Sequence, residues 1–363
     1  MSAARYWHPT GEGGSIACDL CPRGCVIAPG GHGACFARAN AGGRMELLTY
    51  GRSSGFCIDP VEKKPLNHFL PGSPILSFGG AGCNLACACC QNWEISRARE
   101  TGRLSPEVTP EDIAYAAAHK GCRAVAVTYN EPIVALEFVL DVAAACRAAQ
   151  VRSVAVTAGY ITPAAAAEFF PAFDAVNVDL KAFTEAFYAR VCGARLAPVK
   201  EALRFIARET ATWLEITTLV IPGHNDSDAE IAAMAAWIAA ELSPDVPLHL
   251  SAFHPAHRMM QVPPTPPAAL ARARGIAMAE GLRFVYTGNV HDAEGDATFC
   301  PGCGAAAIRR DWYEIEGYGL DASGRCVRCG TRLPGVFDGP PGTWGRRREP
   351  VEMPIRRRPC RKT

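Results

Sequence analysis

Seven short apolar runs alternate with longer amphipathic segments, and this alternation restricts the chain to a few folds. The runs are ILSFG (75–79), RAVAVTY (123–129), RSVAVT (152–157), DAVNVDL (174–180), WLEITTLV (213–220), PLHLSAF (247–253) and LRFVYT (282–287). Most are rich in β-branched residues and almost continuously apolar, which is typical of parallel strands buried on both faces. The segments between them have helical patterns, and one begins with the capping sequence TPED at Thr109. The pattern predicts an α/β fold, either a Rossmann-like sheet or a whole or partial (β/α) barrel.

Length and charge set further limits. The chain has 363 residues and a net charge of +1, so it has room for one large domain with smaller attachments, and its charge favours no particular partner. The N-terminal sequence MSAARYWHPTGEGG does not resemble a signal peptide, and the longest uncharged apolar run, 231–240, is too short to span a bilayer. We therefore expect a cytoplasmic protein that does not interact with membranes.

Most of the 17 cysteines fall into three clusters. The clusters are Cys18, Cys21, Cys25 and Cys35; Cys83, Cys87, Cys89 and Cys90; and Cys300, Cys303, Cys326 and Cys329. A reducing cytoplasm disfavours a disulfide framework, so clustered cysteines indicate metal sites. The remaining cysteines are scattered: Cys57, Cys122, Cys146, Cys192 and Cys360. We expect Cys122, Cys146 and Cys192, which lie in apolar sequence, to be small packing residues.

The middle cluster follows the first predicted strand directly. Cys83, Cys87 and Cys90 have the spacing C-x3-C-x2-C, and the glycine-rich sequence GGAG at 79–82 permits close backbone approach beside them. Three thiolates suit a 4Fe–4S cluster with one iron left open for a cofactor or substrate. A zinc loop or simple packing is the alternative. We interpret Cys89 as a bystander whose thiol points away from that of Cys90.

The outer clusters have different spacings. The C-terminal quartet reads C-x2-C…C-x2-C with a glycine after each pair, a pattern typical of a zinc ribbon or rubredoxin-like knuckle; zinc is favoured and iron is the alternative. The N-terminal quartet reads C-x2-C-x3-C-x9-C. Its four thiolates suit either a closed zinc site or an auxiliary iron–sulfur cluster, and the spacing does not decide between them.

Polar residues follow the predicted strands. They are Tyr129, Asn130 and Glu131 after the second, Thr157 and Gly159 after the third, Asp179 and Lys181 after the fourth, His224, Asn225 and Asp226 after the fifth, and His254 after the sixth. In a (β/α) barrel the carboxyl ends of the strands form the active-site face, so these residues are predicted to share one rim. A structural ion pair is the alternative for Asp179 and Lys181, and a strand-capping histidine is the alternative for His254.

Several motifs together resemble the radical S-adenosylmethionine (SAM) superfamily. They are CDLCPRGC, PVEKKPLNHFLPGS, AGCNLACACCQNWEIS, TYNEP, NVDLK, LVIPGHND, LSAFHP and CPGCG…CVRCG, and they extend from about residue 15 to about residue 337. Within the superfamily the chain is similar to activating enzymes of glycyl radical enzymes, such as the pyruvate formate-lyase-activating enzymes, and looks closest to the radical SAM enzymes of the AmmeMemoRadiSam system. One departure is Cys89, where the family usually has an aromatic residue expected to lie against the adenine.

The resemblance implies the fold and the cofactors. The fold would be a partial (β/α)6 TIM-like barrel, and the cofactors would be a 4Fe–4S cluster on Cys83, Cys87 and Cys90 together with SAM. It also implies that Glu131, in Tyr129-Asn130-Glu131, holds the SAM amino group. Asp179 and Lys181 would orient the ribose and the methionyl carboxylate, and His254 would be a further contact.

The same resemblance suggests a division of the chain. The expected parts are a Cys-rich metal-binding segment (1–56), a connector (57–74), the radical SAM core (75–296), a zinc-ribbon-like module (297–337) and a basic, disordered tail (338–363). The tail carries arginines at 346–348 and 356–358, which we interpret as a solvated end rather than a nucleic-acid contact.

Three functions follow as hypotheses. In the first, an electron donor such as flavodoxin or ferredoxin reduces the cluster, SAM is cleaved to a 5′-deoxyadenosyl radical, and this radical abstracts hydrogen from a protein, as in glycyl radical activation. In the second, the substrate is RNA or a small molecule. In the third, the chain is a multi-cluster electron carrier, which Glu131 and the polar rim disfavour because a carrier needs no SAM site.

Overall fold

The N-terminal part of the chain forms two small antiparallel sheets. In the computed structural model, which describes residues 2–11, 13–99 and 104–353, the sheets have the orders β1-β6-β5 and β2-β3-β4. Their strands are β1 (Ser2–Ala3), β2 (Trp7–Pro9), β3 (Ile16–Cys18), β4 (Val26–Ile27), β5 (Arg38–Ala41) and β6 (Arg44–Leu47). Ile16, Ile27 and Leu47 are almost completely buried and join the main core. The first cysteine cluster therefore belongs to a packed module.

A nine-stranded sheet forms the centre of the described part of the chain. Its first eight strands are β7 (Gly55–Pro60), β8 (Pro74–Gly79), β9 (Ala124–Val127), β10 (Arg152–Thr157), β11 (Ala175–Asp179), β12 (Trp213–Val220), β13 (Leu248–Ala252) and β14 (Val285–Gly288). Strands β8 to β14 are parallel neighbours in chain order, and β7 pairs antiparallel with β8. The sheet is open at β14, so the predicted partial barrel is confirmed, with a seventh parallel strand beyond the six expected.

Helices connect the parallel strands. They are α1 (Trp93–Ser96), α2 (Pro110–His119), α3 (Leu136–Ala148), α4 (Pro163–Phe169), α5 (Glu185–Phe187), α6 (Leu196–Glu209), α7 (Asp228–Glu241) and α8 (Pro267–Ala279). Single turns of 3-10 helix lie at Val61–Lys63, Pro132–Ala135 and Phe170–Ala172, and a π-helix lies at Tyr188–Cys192. Helix α2 begins with the predicted capping box of Thr109 and Asp112. No helix in the ranges described is long and apolar enough to cross a bilayer.

Strand β7 was not predicted, and the boundary placed between residues 56 and 57 falls inside it. Its residues alternate: Phe56 and Ile58 belong to the core, and Cys57 lines a cavity on the other face. Phe56 packs against Phe78 of β8 with 5.5 Å between ring centroids. The connector therefore begins with a strand of the central sheet, and residues 56–60 of this strand are all buried.

A buried ion pair joins the N-terminal module to the barrel. The Arg38 side chain donates to the Glu137 carboxylate of α3 at 2.6 Å and to the backbone oxygens of Val134 and Arg5 at 3.1 Å each. Both charged side chains are buried. Removing one partner of such a pair leaves an uncompensated buried charge, so the contact fixes the module against the barrel.

The C-terminal cysteines form a small module of their own. Strands β15 (Thr298–Phe299), β16 (Ala306–Asp311) and β17 (Glu314–Tyr318) pair antiparallel. The sulfur atoms of Cys300, Cys303, Cys326 and Cys329 all lie within 4.8 Å of one another. Cys300 and Cys326 belong to a separate apolar cluster that includes Ile308 and Leu333. Four thiols at this separation fit the predicted zinc-ribbon-like module.

This module is docked into the barrel rather than suspended beside it. The buried Arg310 of β16 donates to the backbone oxygen of Asn67 at 2.8 Å and to the Thr298 hydroxyl at 2.9 Å. The turn between β16 and β17 places Trp312 and Tyr313 in the lining of the barrel cavity. The module therefore closes part of the cavity with its hairpin tip.

The prediction of an unpacked tail is wrong for residues 338–353. Strand β18 (Glu349–Pro350) pairs antiparallel with β7, and Arg346 lies 2.9 Å from Asp311 and 3.4 Å from Glu314. Without β18 the free edge of β7 would expose unpaired backbone groups, and the added strand covers that edge. Arginines 356–358 and Cys360 lie outside the described residues.

Replacing Cys300 and Cys303 together by Ser is expected to release about one zinc per chain, because four thiolates close a structural zinc site. Since the ligands have no preformed site in an unfolded chain, residues 297–337 should then be cut rapidly by protease. Zinc content by elemental analysis and limited proteolysis measure both effects. Cys122→Ser, which removes a buried cysteine outside the quartet, should change neither. Unchanged zinc in the double variant would contradict the assignment.

Candidate active site

The carboxyl ends of the parallel strands open into a cavity of about 750 Å³. The predicted cluster ligands and several residues of the predicted rim line it: Cys83, Cys87, Cys90, Tyr129, Asn130, Glu131, Thr157, Asp179 and Lys181. Sequence reasoning placed these residues on one face because parallel strands share a direction, and the cavity brings them together. His254 is exposed and is not among the lining residues, and the exposed His224 is not among them either.

The backbone of the cysteine loop is held at both ends. Gly82 has φ +90°, and a methyl group on it would lie 2.1 Å from the carbonyl oxygen of Cys35, so this position requires glycine. The amides of Ala86 and Ala88 donate to the carbonyl oxygens of Cys192 and Val191 at 2.8 Å each. Those acceptors lie in the π-helix, a form often found at functional sites. Backbone contacts thus position the loop, and the buried Asn84 side chain adds a hydrogen bond to the carbonyl oxygen of Tyr160 at 2.7 Å.

Asn130 supports the same loop. Its side-chain oxygen accepts from the amide of Gly80 at 2.9 Å, and its amide nitrogen donates to the carbonyl oxygen of Gly82 at 2.7 Å. Although it lines the cavity, both ends of its side chain are engaged by the glycine turn. Asn130 therefore holds the cysteine loop against the end of β9.

Cys192 was predicted to be a packing residue, but its buried thiol contacts Cys87. A hydrogen bond from the Cys192 thiol lowers the pKa of the Cys87 thiol to about 7, against the effect of burial and with help from Lys181. The thiolate is the form of cysteine that binds metal ions, so the contact favours the form that Cys87 needs as a predicted ligand. The two residues are far apart in the sequence, and no local pattern signals their contact.

Cys89 is buried and also lines the cavity. Burial raises the pKa of its thiol to about 12, and the neighbouring thiols of Cys87 and Cys90 add to the increase. All four thiols of this loop therefore border one space, and the residue interpreted as a bystander lies next to the three predicted ligands.

Glu131 is a buried carboxylate at the cavity wall. It accepts hydrogen bonds from the Thr157 hydroxyl at 2.5 Å, the Ala158 amide at 2.8 Å and the Ile133 amide at 3.2 Å. Burial nevertheless raises its pKa to about 7. Its hydrogen bonds fix its orientation, while burial deprives it of solvation. A cationic ligand group placed beside it would stabilise its charge.

Asp179 and Lys181 form an ion pair of 2.6 Å that faces the same cavity. Burial opposes the charged form of Lys181, but Asp179 and the Cys87 thiol raise its pKa well above the usual value. Asn225 fixes the segment, because its side-chain amide donates to the carbonyl oxygen of Lys181 at 2.8 Å. Asp179 and Lys181 therefore form an ion pair with each other and also line the cavity.

Tyr129 was predicted for the rim, but the polar network that it forms with Cys57, Asp59 and Lys64 was missed by the sequence reasoning. The Tyr129 hydroxyl lies 2.8 Å from the Cys57 sulfur and donates to the Asp59 carboxylate at 2.6 Å, and Lys64 donates to the same carboxylate at 2.6 Å. Burial alone would raise the pKa of Asp59, but Lys64 holds it well below its usual range. The available signal was the EKK sequence in the quoted motif PVEKKPLNHFLPGS, which sequence reasoning assigned to a connector.

The rest of that motif is structural. The amides of Asn67 and His68 donate to the buried Glu215 carboxylate at 2.9 and 2.8 Å, and His249 lies 2.6 Å from it. His68 in turn lies 2.6 Å from the Tyr286 hydroxyl. These contacts tie the segment after β7 to strands β12 to β14, and Asn67 and His249 also line the cavity.

Comparisons with known proteins agree with this arrangement. Residues 78–235 match the family model described as the radical SAM superfamily. "Uncharacterized protein MJ0808" of Methanocaldococcus jannaschii is 38% identical over 319 residues, which cover 88% of this chain and 95% of that protein.

Two solved structures are also similar. A radical SAM methyltransferase from Sphaerobacter thermophilus is 15% identical, with coverage of 80% of this chain and 77% of that chain and a TM-score of 0.49. A domain of pyruvate-formate lyase-activating enzyme from Bacteroides vulgatus is 20% identical, with coverage of 46% and 99% and a TM-score of 0.40. With three cysteines of the family spacing directly after β8, inside the residues that match the family model, the chain belongs to the radical SAM superfamily.

Proposed function

We propose that this chain is a SAM-cleaving enzyme that abstracts a hydrogen atom from a protein substrate. The observation that carries the proposal is the meeting of three thiols and a buried carboxylate in one cavity: Cys83, Cys87, Cys90 and Glu131. The thiols fit a 4Fe–4S cluster with one open iron. When bound, the cluster and SAM supply a 5′-deoxyadenosyl radical, and the protein supplies binding, orientation and exclusion of water.

The polar residues have distinct binding roles. Glu131, oriented by Thr157 and Ala158, accepts the ammonium group of SAM. Lys181 faces the methionyl carboxylate, and Asp179, next to it, accepts from a ribose hydroxyl. Both side chains are already aligned by their ion pair, so little conformational freedom is lost on binding.

A protein is favoured over RNA by the described arginines. Arg346 pairs with Asp311 and Glu314, and Arg347 lies over the Trp344 ring at 4.3 Å. Arg348 contacts the Cys57 thiol in the cavity wall. This run of basic residues is engaged within the chain rather than presented to phosphates. Trp312 and Tyr313 line the cavity, and their rings suit packing against a single inserted side chain or a glycine segment.

The anaerobically reconstituted enzyme, given dithionite and SAM, is expected to release 5′-deoxyadenosine, measured by liquid chromatography with mass spectrometry. Cys83→Ala, Cys87→Ala and Cys90→Ala should each abolish release, because each removes a cluster ligand. Cys89→Ala should retain a substantial share and is the matched control on the same loop. A Cys89→Ala variant as inactive as Cys87→Ala would show that the ligand assignment is wrong.

Glu131→Gln keeps the shape of the side chain and removes its charge. A hydrogen bond to a charged group contributes about 1.5–3 kcal/mol, so SAM affinity should fall by about tenfold or more. Equilibrium dialysis against labelled SAM measures the change, and the iron–sulfur absorbance should be unaltered. Glu201→Gln, at an exposed position of α6, should bind SAM like the wild type. Equal affinity of all three proteins would refute the role of Glu131.

The substrate class is tested by fractionating an extract of the source organism. The protein fraction should increase 5′-deoxyadenosine release above the basal rate, and the increase should disappear after protease treatment but not after RNase treatment. Mass spectrometry of that fraction should show a modification that requires both SAM and reductant. Stimulation by the RNA fraction alone, or by the small-molecule filtrate alone, would contradict a protein substrate.

A further inference from the structure

The four N-terminal cysteines converge in the folded module. Cys18 ends β3, Cys21 and Cys25 lie in the β3–β4 connection, and Cys35 lies between β4 and β5. The amide of Cys18 donates to the carbonyl oxygen of Cys25 at 2.9 Å, and the amide of Gly24 donates to the carbonyl oxygen of Cys21 at 3.2 Å. The amide of Ala34, next to Cys35, donates to the Cys25 sulfur at 3.5 Å. These contacts bring the four cysteines together.

The spacing of these thiols differs from that of the C-terminal quartet. A single zinc with Zn–S bonds of about 2.3 Å holds its four sulfurs roughly 3.8 Å apart. Within residues 2–11, 13–99 and 104–353, the C-terminal quartet is the one group of three or more such ligand atoms within 4.8 Å of one another. No three of the N-terminal sulfur atoms lie within 4.8 Å of one another, so their spacing is wider than the spacing that a single zinc imposes.

The loop of Cys83, Cys87 and Cys90 provides an internal comparison. Its three thiols line one cavity, and they also fail to gather within 4.8 Å. A cluster of several irons and sulfides separates its thiolate ligands more widely than a single ion does. The N-terminal quartet therefore resembles the cluster loop of this chain and differs from its zinc-like quartet.

The N-terminal site also touches the cluster loop directly. The backbone of Cys35 lies against Gly82, where a methyl group would be 2.1 Å from the Cys35 carbonyl oxygen, and Gly82 immediately precedes Cys83. Arg23, between Cys21 and Cys25, donates to the carbonyl oxygen of Asn84, and also to that of Gly193 at 2.8 Å. The loops that carry the N-terminal cysteines are therefore in direct contact with the loop that carries Cys83.

We propose that Cys18, Cys21, Cys25 and Cys35 bind a second iron–sulfur cluster that relays electrons to the cluster held by Cys83, Cys87 and Cys90. A one-electron donor of the flavodoxin or ferredoxin class is oxidised as the N-terminal cluster is reduced. The same electron then passes across the Cys35–Gly82 contact, so that the N-terminal cluster is reoxidised as the second acceptor is reduced. The proposed electron transfer rests on the proposed function, whereas the binding of an iron–sulfur cluster by the N-terminal quartet does not.

Iron, acid-labile sulfide and zinc are measured per chain in the anaerobically reconstituted wild type and in three variants. The variant with Cys83, Cys87 and Cys90 all replaced by Ala should retain about two or four irons with equal sulfide, held by the N-terminal quartet. Cys21→Ser combined with Cys25→Ser should lose that iron and keep the iron of the other loop. Cys122→Ser should match the wild type. All should retain the zinc of the C-terminal quartet.

Iron absent from the triple variant, or a second zinc that only the Cys21/Cys25 variant loses, would overturn the metal assignment. Release of 5′-deoxyadenosine is not part of this measurement. The metal contents can therefore be interpreted even if the proposed function is wrong. Electron paramagnetic resonance tests whether the two proposed clusters lie close to each other. The reduced wild type should show magnetic coupling between two signals, and each single-cluster variant should show one uncoupled signal.

Arg23→Ala tests the relay while leaving all four thiols in place. The iron content should equal that of the wild type, because no ligand is lost. Reduction of the Cys83–Cys87–Cys90 cluster by reduced flavodoxin, followed by rapid-freeze resonance spectroscopy, should slow several-fold, whereas reduction by dithionite in excess should reach the same end point. An unchanged rate with flavodoxin in both Arg23→Ala and the Cys21/Cys25 variant would refute the relay.

Discussion

At Gly82 two backbones approach so closely that no side chain fits between them. The residue has φ +90°, and the carbonyl oxygen of Cys35 occupies the space that a Cβ atom would take. Beyond it, the amides of Ala86 and Ala88 bind the π-helix, and Asn130 binds the glycine turn from the other side. The position of all the cysteines at the cavity follows from these backbone contacts, since a ligand loop must be held in place before a cluster can bind.

The cavity also contains charges that would destabilise the fold if they were unpaired. Asp59 is paired with Lys64 and Lys63, and Asp179 with Lys181. Glu131 has hydrogen bonds from neutral donors only, among the contacts described, and burial raises its pKa. Burying a carboxylate without a cation is unfavourable, which is the physical reason to expect a cationic ligand there.

The two outer modules complete the site rather than merely extending the chain. The N-terminal module supplies Cys35 and Arg23 to the cluster loop, and it is anchored by the buried pair of Arg38 and Glu137. The C-terminal module supplies the hairpin tip with Trp312 and Tyr313, anchored by Arg310. These contacts join distant parts of the chain, 61 positions apart for Arg23 and Asn84 and 243 for Arg310 and Asn67, so they depend on the folded barrel.

The sequence by itself determined the parts that depend on local patterns. The apolar runs predicted β10 and β12 to the residue, because strands buried on both faces must be continuously apolar. The cysteine spacings separated three groups of ligands, and the polar residues after the strands indicated one rim, because parallel strands end on the same side.

Only the tertiary structure decided which distant groups meet. Nothing near Cys192 in the chain indicates that its thiol contacts Cys87, nor that Cys57 would face Tyr129. The pairing of β18 with β7 also could not be predicted from the sequence, because a two-residue strand has no periodicity to detect. Spacing alone also left the N-terminal quartet open between zinc and a cluster, since the separation of the thiols is set by how the whole module folds against the barrel.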